Sequence, residues 1–355
     1  MQYKFLIYIS YSYAIPIGKP LEAELLKRGL LVKWFCDLGT IKELEQSEHV
    51  LNSIEDVLDY KPHITLAITD KVPDFINTLK VQVFHGFNAE KRSFKKDHFR
   101  IRGLFDLYCT QGPSTTSIFN LQKEKYKTFE VIETGWSKVD PLFPIEKKNI
   151  GNPPVVFIAS TFTPRLSLAY NNEVYEEIKR LSNSGTYNFI MVLHPKIPVE
   201  IVKKWKELNG DFFTFFNTTN LIPLFKKSDI MFSDTTSAIQ EFMLQEKPVV
   251  TFNHHIPKPH LINVIKASEI APALKKALGH PKDIIQLIHD YNQELHPYTD
   301  GKSSSRIIDA SISFLHKDKS YLKKKPLNLM RKYKIRKQLN YFTLQSFNKP
   351  FTLNE

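Results

Sequence analysis

Ser228-Asp-Ile-Met-Phe-Ser-Asp-Thr-Thr-Ser-Ala-Ile-Gln-Glu-Phe-Met-Leu-Gln-Glu-Lys-Pro-Val-Val250 is the stretch around which the chain is organised. An apolar run, Ile230 to Phe232, leads into small hydroxyl residues. A helical pattern over Ala238 to Gln245 follows, and a second apolar run begins at Val249. The order is strand, turn, helix, strand. Hydroxyls at Ser233, Thr235, Thr236 and Ser237, with Asp234 among them, would surround the first amides of that helix. Such a turn is suited to an anion such as a diphosphate. Glu241, one helical turn in, could accept hydrogen bonds from ribose hydroxyls. The same residues also serve a plain structural reading, in which Thr236 or Ser237 caps the helix and Asp234 completes the turn.

Outward from this unit, apolar strands alternate with helical patterns in both directions. Toward the N-terminus the strand candidates are residues 1–9, Leu30 to Phe35, Ile64 to Ile68, Val81 to Phe84, Leu104 to Thr110 and Phe129 to Glu133. Helical spacing covers Pro20 to Arg28 and residues 43–58, and a segment rich in Lys and Arg runs up to Arg102. From Pro141 to Pro154, prolines, lysines and Gly151 interrupt the pattern, which marks a linker. Strands at Val155 to Ala159 and Asn188 to Leu193, a helix at Glu173 to Leu181 and an aromatic strand from Asp211 to Phe216 then restart it. The expected fold is α/β, with two doubly wound Rossmann-like domains facing a cleft. The expected division is 1–150, 151–316 and a basic tail, 317–355.

In such sheets ligands sit at the carboxyl ends of the strands. His85-Gly86 and His194-Pro195 both follow strands there, as Ser233 does. An imidazole titrating near neutrality suits general base work, and glycine lets a ligand approach the backbone. Each histidine is equally readable as a polar residue satisfied at a strand end. Asp300-Gly301-Lys302 with Arg306 places cations and hydroxyls at a helix start, suited either to a phosphate or to a capped surface helix.

The composition narrows the classes. The 355 residues carry a net charge of +12 with 42% hydrophobic content, as in a soluble globular protein that favours anionic partners. The N-terminal apolar run is too short for a secretory signal, and no run spans a membrane. Cys36 and Cys109 form no Cys-x-x-Cys pair and read as reduced, buried thiols. Metal-ligand spacings and the glycine-rich dinucleotide and P-loop patterns are absent, so no metal and no cofactor are expected; nor is there a nucleic-acid motif. Beyond Lys317, lysines and arginines alternate with Tyr321, Leu322, Leu329, Met330, Tyr333 and Ile335, the composition of a segment lying on anionic membrane. A solvated tail, or a helix packed with its lysines outward, would share that composition.

Taken in order, His85-Gly86, Thr134-Gly135-Trp136-Ser137-Lys138-Val139-Asp140, His194-Pro195, Ser233 to Ser237 with Glu241 and Lys247-Pro248, and Asp300-Gly301-Lys302 with Arg306-Ile307 resemble the CDP-glycerol glycerophosphotransferases. That family builds poly(glycerol phosphate) on a GT-B scaffold. The resemblance covers roughly residues 80–310. It implies a cytoplasmic enzyme, peripheral on the inner face of the membrane, that takes a CDP-glycerol-type donor and a glycan or lipid-linked acceptor. His85 would be the base for the acceptor hydroxyl. His194, Ser233, Thr236, Ser237 and Arg306 would contact donor phosphate, with Gly86, Asp234, Thr235, Glu241 and Lys302 lining the site. The chain departs from the family pattern at Thr235, Glu241 and Phe87, where Tyr, Asp and Thr are usual. Glu241 also resembles the ribose-binding glutamate of GT-B glycosyltransferases, and the Thr-Gly, His-Pro and Ser-Asp motifs recur in UDP-N-acetylglucosamine 2-epimerases. A UDP-sugar enzyme on the same scaffold is therefore the alternative.

Overall fold

In the computed structural model, residues 2–39, 44, 49–87, 98–146 and 149–353 are described. Two α/β units result: one from Met1–Gly86, Ser93–Phe143 and Leu295–Glu355, the other from Phe87–Arg92 and Pro144–Glu294.

The first unit holds β1 (Lys4–Ile9), α1 (Ile15–Lys27), β2 (Leu31–Cys36), β3 (Val50–Leu51), α2 (Ile54–Tyr60), β4 (Ile64–Ala67), β5 (Leu79–Val83), β6 (Leu107–Thr110), α3 (Pro113–Tyr126) and β7 (Glu130–Glu133). Its strands pair in parallel in the order β3-β2-β1-β4-β5-β6-β7. In β1 the run Phe5 to Ile9 is apolar and wholly buried, as a strand covered on both faces requires, while β4 and β5 also bury Thr65, Lys80 and Gln82. Helix α1 starts at Ile15 rather than Pro20, since Pro16 lies in its first turn, where a missing amide costs little. Within the span 43–58 expected to be helical, the described residues form a helix from Ile54 on, in α2. Ser53 and Asp56 close a capping box at its start, and Val50–Leu51 instead forms an edge strand. Residues 45–48, the basic stretch 88–97, Lys147 and Lys148 lie outside the described residues.

The second unit holds β8 (Val155–Ser160), α4 (Asn172–Asn183), β9 (Asn188–Leu193), α5 (Val199–Lys206), β10 (Phe213–Phe215), α6 (Ile222–Lys227), β11 (Ile230–Ser233), α7 (Ala238–Met243), β12 (Val249–Phe252), β13 (Ile262–Val264), α8 (Ile270–Leu278) and α9 (Lys282–Leu295). Its parallel order is β10-β9-β8-β11-β12-β13. The core gathers Ile158, Val174, Ile178, Phe189, Met191, Trp205, Phe232 and Leu274.

The chain then returns to the first unit, so a boundary at 316 does not describe it. Helix α10 (Ser303–His316) is capped by Asp140, whose carboxylate accepts the amides of Ser303 and Ser304 at 2.8 and 2.7 Å. Its outer face is tied to α1 by Arg28, which donates to Asp309 and Ser305. Residues 295–316 therefore belong to the first unit.

The basic tail is also folded onto that unit, through α11 (Leu329–Leu339) and the segments around it. Lys319, Lys325 and Lys332 are buried. The Lys325 ammonium sits 2.5 Å from Asp106, and Arg336 donates twice to Asp74, which also accepts from Ser346 and lies 3.4 Å from Lys332. Three cations of the tail, Lys325, Lys332 and Arg336, are thus internal counter-charge for two buried carboxylates. The tail nonetheless exposes Leu327, Leu329, Met330, Tyr333, Phe342 and Leu344, along with Lys323, Lys324, Lys334 and Lys337. No helix among the described residues is long and apolar enough to cross a membrane.

Candidate active site

In the first unit, β1, β4 and β5 are neighbours, so the residues after their carboxyl ends meet. Tyr11 and Tyr13 follow β1, Asp70 follows β4 and His85 follows β5. His85 Nδ1 lies 3.8 Å from Asp70 Oδ1, an electrostatic contact rather than a hydrogen bond, and Arg102 Nη2 donates to Asp70 Oδ2 at 2.6 Å. A carboxylate on the Nδ1 side favours the proton there and leaves the Nε2 lone pair as the acceptor. The His85 side chain is 44% exposed, so a substrate hydroxyl can reach it.

The backbone on either side of His85 is held. Trp136, buried in the Thr-Gly-Trp motif, donates its indole N–H to the Phe84 carbonyl at 2.7 Å. Gln111, after β6, donates to the Gly86 carbonyl at 3.1 Å. Among the described residues, no atom other than those of its chain neighbours lies within 4 Å of a Cβ built on Gly86. Behind this edge, His98 stacks on Phe84 at 4.6 Å, and burial, reinforced by His85 and Arg102, drives its pKa down to about 3. It remains a neutral packing residue.

Arg306 and Lys302 lie in the first unit, and the hydroxyl turn belongs to the second. The guanidinium of Arg306 donates to both oxygens of Asp300 and to the Thr134 carbonyl, and stacks 4.0 Å over Tyr298. This clamp fixes the 134–136 turn to the start of α10. Gly135 takes φ +79 there, and a Cβ would meet Ser303 Oγ at 2.4 Å. Lys302 is exposed. His296, buried beneath, accepts the Trp136 amide at 3.0 Å; burial drives its pKa down to about 4.

In the second unit the carboxyl ends of β9, β8, β11 and β12 lie side by side. His194 follows β9, and its Nδ1 accepts the Lys196 amide at 3.1 Å. That bond places the proton of the neutral ring on Nε2, making it a donor. Phe162, after β8, packs at 4.6 Å against the His194 ring, and Lys196 Nζ lies 5.4 Å from the same phenyl.

The hydroxyl turn divides by burial. Ser233 is fully buried and donates to the Ala159 carbonyl at 2.6 Å. Asp234, equally buried, accepts from Ser160 Oγ and from the Thr161 and Leu168 amides, pinning the loop after β8. Both are turned inward in this structure, which corrects the expectation that they line the ligand surface. Thr235 is buried and accepts the His255 amide at 2.9 Å, joining the loop after β12. Thr236 and Ser237 are half-exposed, and Thr236 Oγ1 accepts the Ala238 amide at 3.4 Å. The helix they open, α7, has six residues, shorter than the pattern to Gln245 indicates and too short for a dipole to dominate. Glu241 is buried on it. A pocket along its flank is lined by Thr235, Thr236, Gln240, His254, Lys258 and Tyr291 among others.

Asp70, Arg102, Tyr13, Gln111, Phe162 and Lys196 were not read from the sequence as functional. Asp70 carried a usable signal, since it stands at a strand's carboxyl end as His85 does. Among the described residues, no three His, Cys, Asp or Glu side chains gather as a metal site. Cys109 is buried and Cys36 half-buried, both free thiols; burial raises the Cys109 thiol to about 12.

No family model matches the chain, and no curated protein matches it. Solved structures do. The wall teichoic acid polymerase TagF shares 14% identity at a TM-score of 0.63, over 88% of this chain and 88% of that one. MnaA from S. aureus, solved with UDP, shares 14% at 0.62, over 92% and 99%. The UDP-GlcNAc 2-epimerase from Neisseria meningitidis, bound to UDP-GlcNAc, shares 18% at 0.56, over 88% and 100%. At these identities the likeness is one of fold. With its two parallel-sheet α/β units, this chain has the fold of the GT-B class.

Proposed function

We propose that this chain is a transferase that moves a polyol phosphate, glycerol phosphate in the first instance, from a CDP-linked donor to the hydroxyl of a glycan or lipid-linked acceptor. The observation that carries the reading is the set of contacts around His85: an exposed imidazole, a carboxylate facing its Nδ1, and both flanking carbonyls anchored by Trp136 and Gln111. That is the requirement for a positioned general base acting on a hydroxyl. The acceptor oxygen bonds to the polyol-side phosphorus, its proton passes to His85, and the phosphoanhydride bond to CMP breaks. Charge building on the departing phosphate calls for preorganised donors. In the second unit the Nε2–H of His194, the Lys196 ammonium and the hydroxyls of Thr236 and Ser237 form that set, with Glu241 for the ribose.

The tail's exposed apolar residues and the four exposed lysines beside them would hold the enzyme on the anionic inner face of the membrane, where a lipid-linked acceptor resides. The likeness to structures holding UDP and UDP-GlcNAc favours a second reading, a UDP-sugar enzyme using the same turn and Glu241. Separate assays of His85→Ala and His194→Ala test the division of roles. Loss of the base lowers transfer about 10²- to 10⁴-fold with donor affinity retained. Loss of His194 weakens donor binding as well. A folded His85→Ala protein that transfers at the parental rate would remove His85 from the mechanism.

A further inference from the structure

Arg331, in the first turn of α11, is a cation of the tail that Asp74 and Asp106 do not account for. Its side chain is half-buried, and its buried Nε–H has no acceptor among the described residues. Burial first, then Arg102 and Arg100, push its pKa below the ordinary guanidinium value, against the opposing pull of Asp70 and Tyr108. Asp70 is already shared: Arg102 Nη2 donates to its Oδ2 at 2.6 Å, and His85 faces its Oδ1 at 3.8 Å. Asp74, beneath the same helix, is engaged by Lys332 and Arg336. The three arginines are held in place. Asn328, at the start of α11, donates its side-chain amide to the Arg102 and Gly103 carbonyls at 2.8 and 3.3 Å, and Arg102 Nη1 donates to the Arg100 carbonyl at 2.9 Å. Pro326 packs so closely on Gly103 that a Cβ there would lie 2.6 Å from its ring. Helix α11 is thus seated on the turn that carries Arg100 and Arg102. Three guanidiniums around one carboxylate, one of them with a buried N–H unmet, form an arrangement that an anion completes.

We propose that Arg331 and Arg100, with Arg102 behind them, hold a phosphate group of the acceptor beside the hydroxyl that His85 deprotonates. The proposal rests on His85 being the acceptor base. Planar guanidinium forks match phosphate oxygens, and a tetrahedral phosphate has oxygens for two or three forks where a carboxylate offers only two. The path from the arginines to the base is short, since Arg102 bonds to Asp70 and Asp70 faces His85. A phosphate gripped there sets the position of the acceptor's hydroxyl against the imidazole. The sequence between His85 and Arg100 does not reverse the sign: residues 88–97, outside the described residues, carry Lys91, Arg92, Lys95 and Lys96 against Glu90 and Asp97. Leu329 and Met330, just before Arg331, are exposed. The helical turn that offers apolar residues to the membrane therefore also carries the phosphate contact, and the tail completes the acceptor site.

The test is calorimetric titration of the full chain with sn-glycerol 3-phosphate, with glycerate as its carboxylate counterpart and glycerol as the neutral one, at fixed ionic strength. The parent is compared with Arg331→Gln, Arg100→Gln and the double variant. Saturable binding of glycerol 3-phosphate, weaker binding of glycerate and a loss of about tenfold for each arginine are expected. Arg331→Lys should recover only part, since an ammonium keeps the charge but not the fork. Thermal melting separates binding from structure. Arg331→Gln should melt no lower than the parent, because it removes a half-buried cation with an unmet N–H, and glycerol 3-phosphate should raise the melting temperature of the parent but not of the double variant. Sedimentation with phosphatidylglycerol vesicles separates the two sources of phosphate, because a lipid headgroup site would show the arginine dependence only there. Where transfer is measurable, the acceptor KM should rise by more than kcat falls. No binding of glycerol 3-phosphate to the parent, binding that ignores both arginines, equal binding of glycerate, or arginine dependence confined to vesicles would each overturn the proposal. So would an Arg331→Gln protein that melts lower and binds as the parent does. Because phosphate binding is read without donor, failure of the CDP-glycerol reaction alone would count against the proposed function and not against this site.

Discussion

Replacing Asp106 by Asn tests whether the C-terminal strap is part of the first unit's core. Asp106 is fully buried on the strand side, where it accepts the Lys80 amide at 2.9 Å and pairs with the buried Lys325 ammonium at 2.5 Å. Asn keeps the size and the acceptor for the Lys80 amide but removes the charge that balances Lys325. Removing one partner of a buried pair costs about 3–5 kcal/mol, because the other charge stays desolvated. At about 2–4 °C per kcal/mol for a domain of this scale, the first unit should melt roughly 6–20 °C lower. Trp34 and Trp136 are buried in this unit and Trp205 in the other, so urea titration by fluorescence in a Trp205→Phe background reports the first unit. Adding Lys325→Met to Asp106→Asn should recover most of the loss, since the unbalanced cation is gone. A loss below about 1 kcal/mol, the size of an exposed pair, would refute the claim that the strap is a buried structural element.

Lys80, wholly buried with its ammonium donating to the Ile76 carbonyl, has its pKa lowered by burial and by Lys325 from 10.5 to about 7. The unfolded chain therefore binds more protons between pH 7 and 10.5, so this group's contribution to stability rises with pH across that window. Stability curves of Lys80→Met should flatten there relative to the parent; parallel curves would show that Lys80 does not titrate in it. Replacing Leu329, Met330 and Tyr333 with Ser should leave the fold intact, because all three are exposed, and should lower sedimentation with anionic vesicles. Removing the charges at Lys334 and Lys337 as well should weaken binding by about 1 kcal/mol each at low salt; vesicle binding that ignores all five changes would end the membrane reading.

The strands β1, β9 and β11 are legible because parallel strands buried on both faces are largely apolar, with Lys4, Asn188 and Ser233 only at their ends; the short edge strands β3 and β13 are not. Helix α3 was not, since Pro113 to Tyr126 is rich in Ser, Thr and Lys and buries little beyond Thr115 and Phe119. The path of the chain after α9 was also hidden. Nothing local around 295 says that Asp140 will cap α10 from more than 160 positions upstream. The tail's lysines look like a solvated or membrane-bound stretch until their partners Asp74 and Asp106 are placed beneath them. For the site, sequence order brought out His85 and His194 because each stands at a strand's carboxyl end. It could not separate Ser233 and Asp234, turned inward, from Thr236 and Ser237, because residues adjacent along a turn differ only in which way the fold points them. Asp70 and Phe162 join their histidines only through the sheet order.

The most direct test of the account is product analysis by ³¹P NMR after separate incubations of the purified protein with CDP-glycerol and UDP-GlcNAc, each with a hydroxyl acceptor. CMP and a new phosphodiester are expected from CDP-glycerol, abolished in His85→Ala, with no turnover of UDP-GlcNAc. Release of UDP or epimerisation of the sugar, with CDP-glycerol left intact, would contradict it.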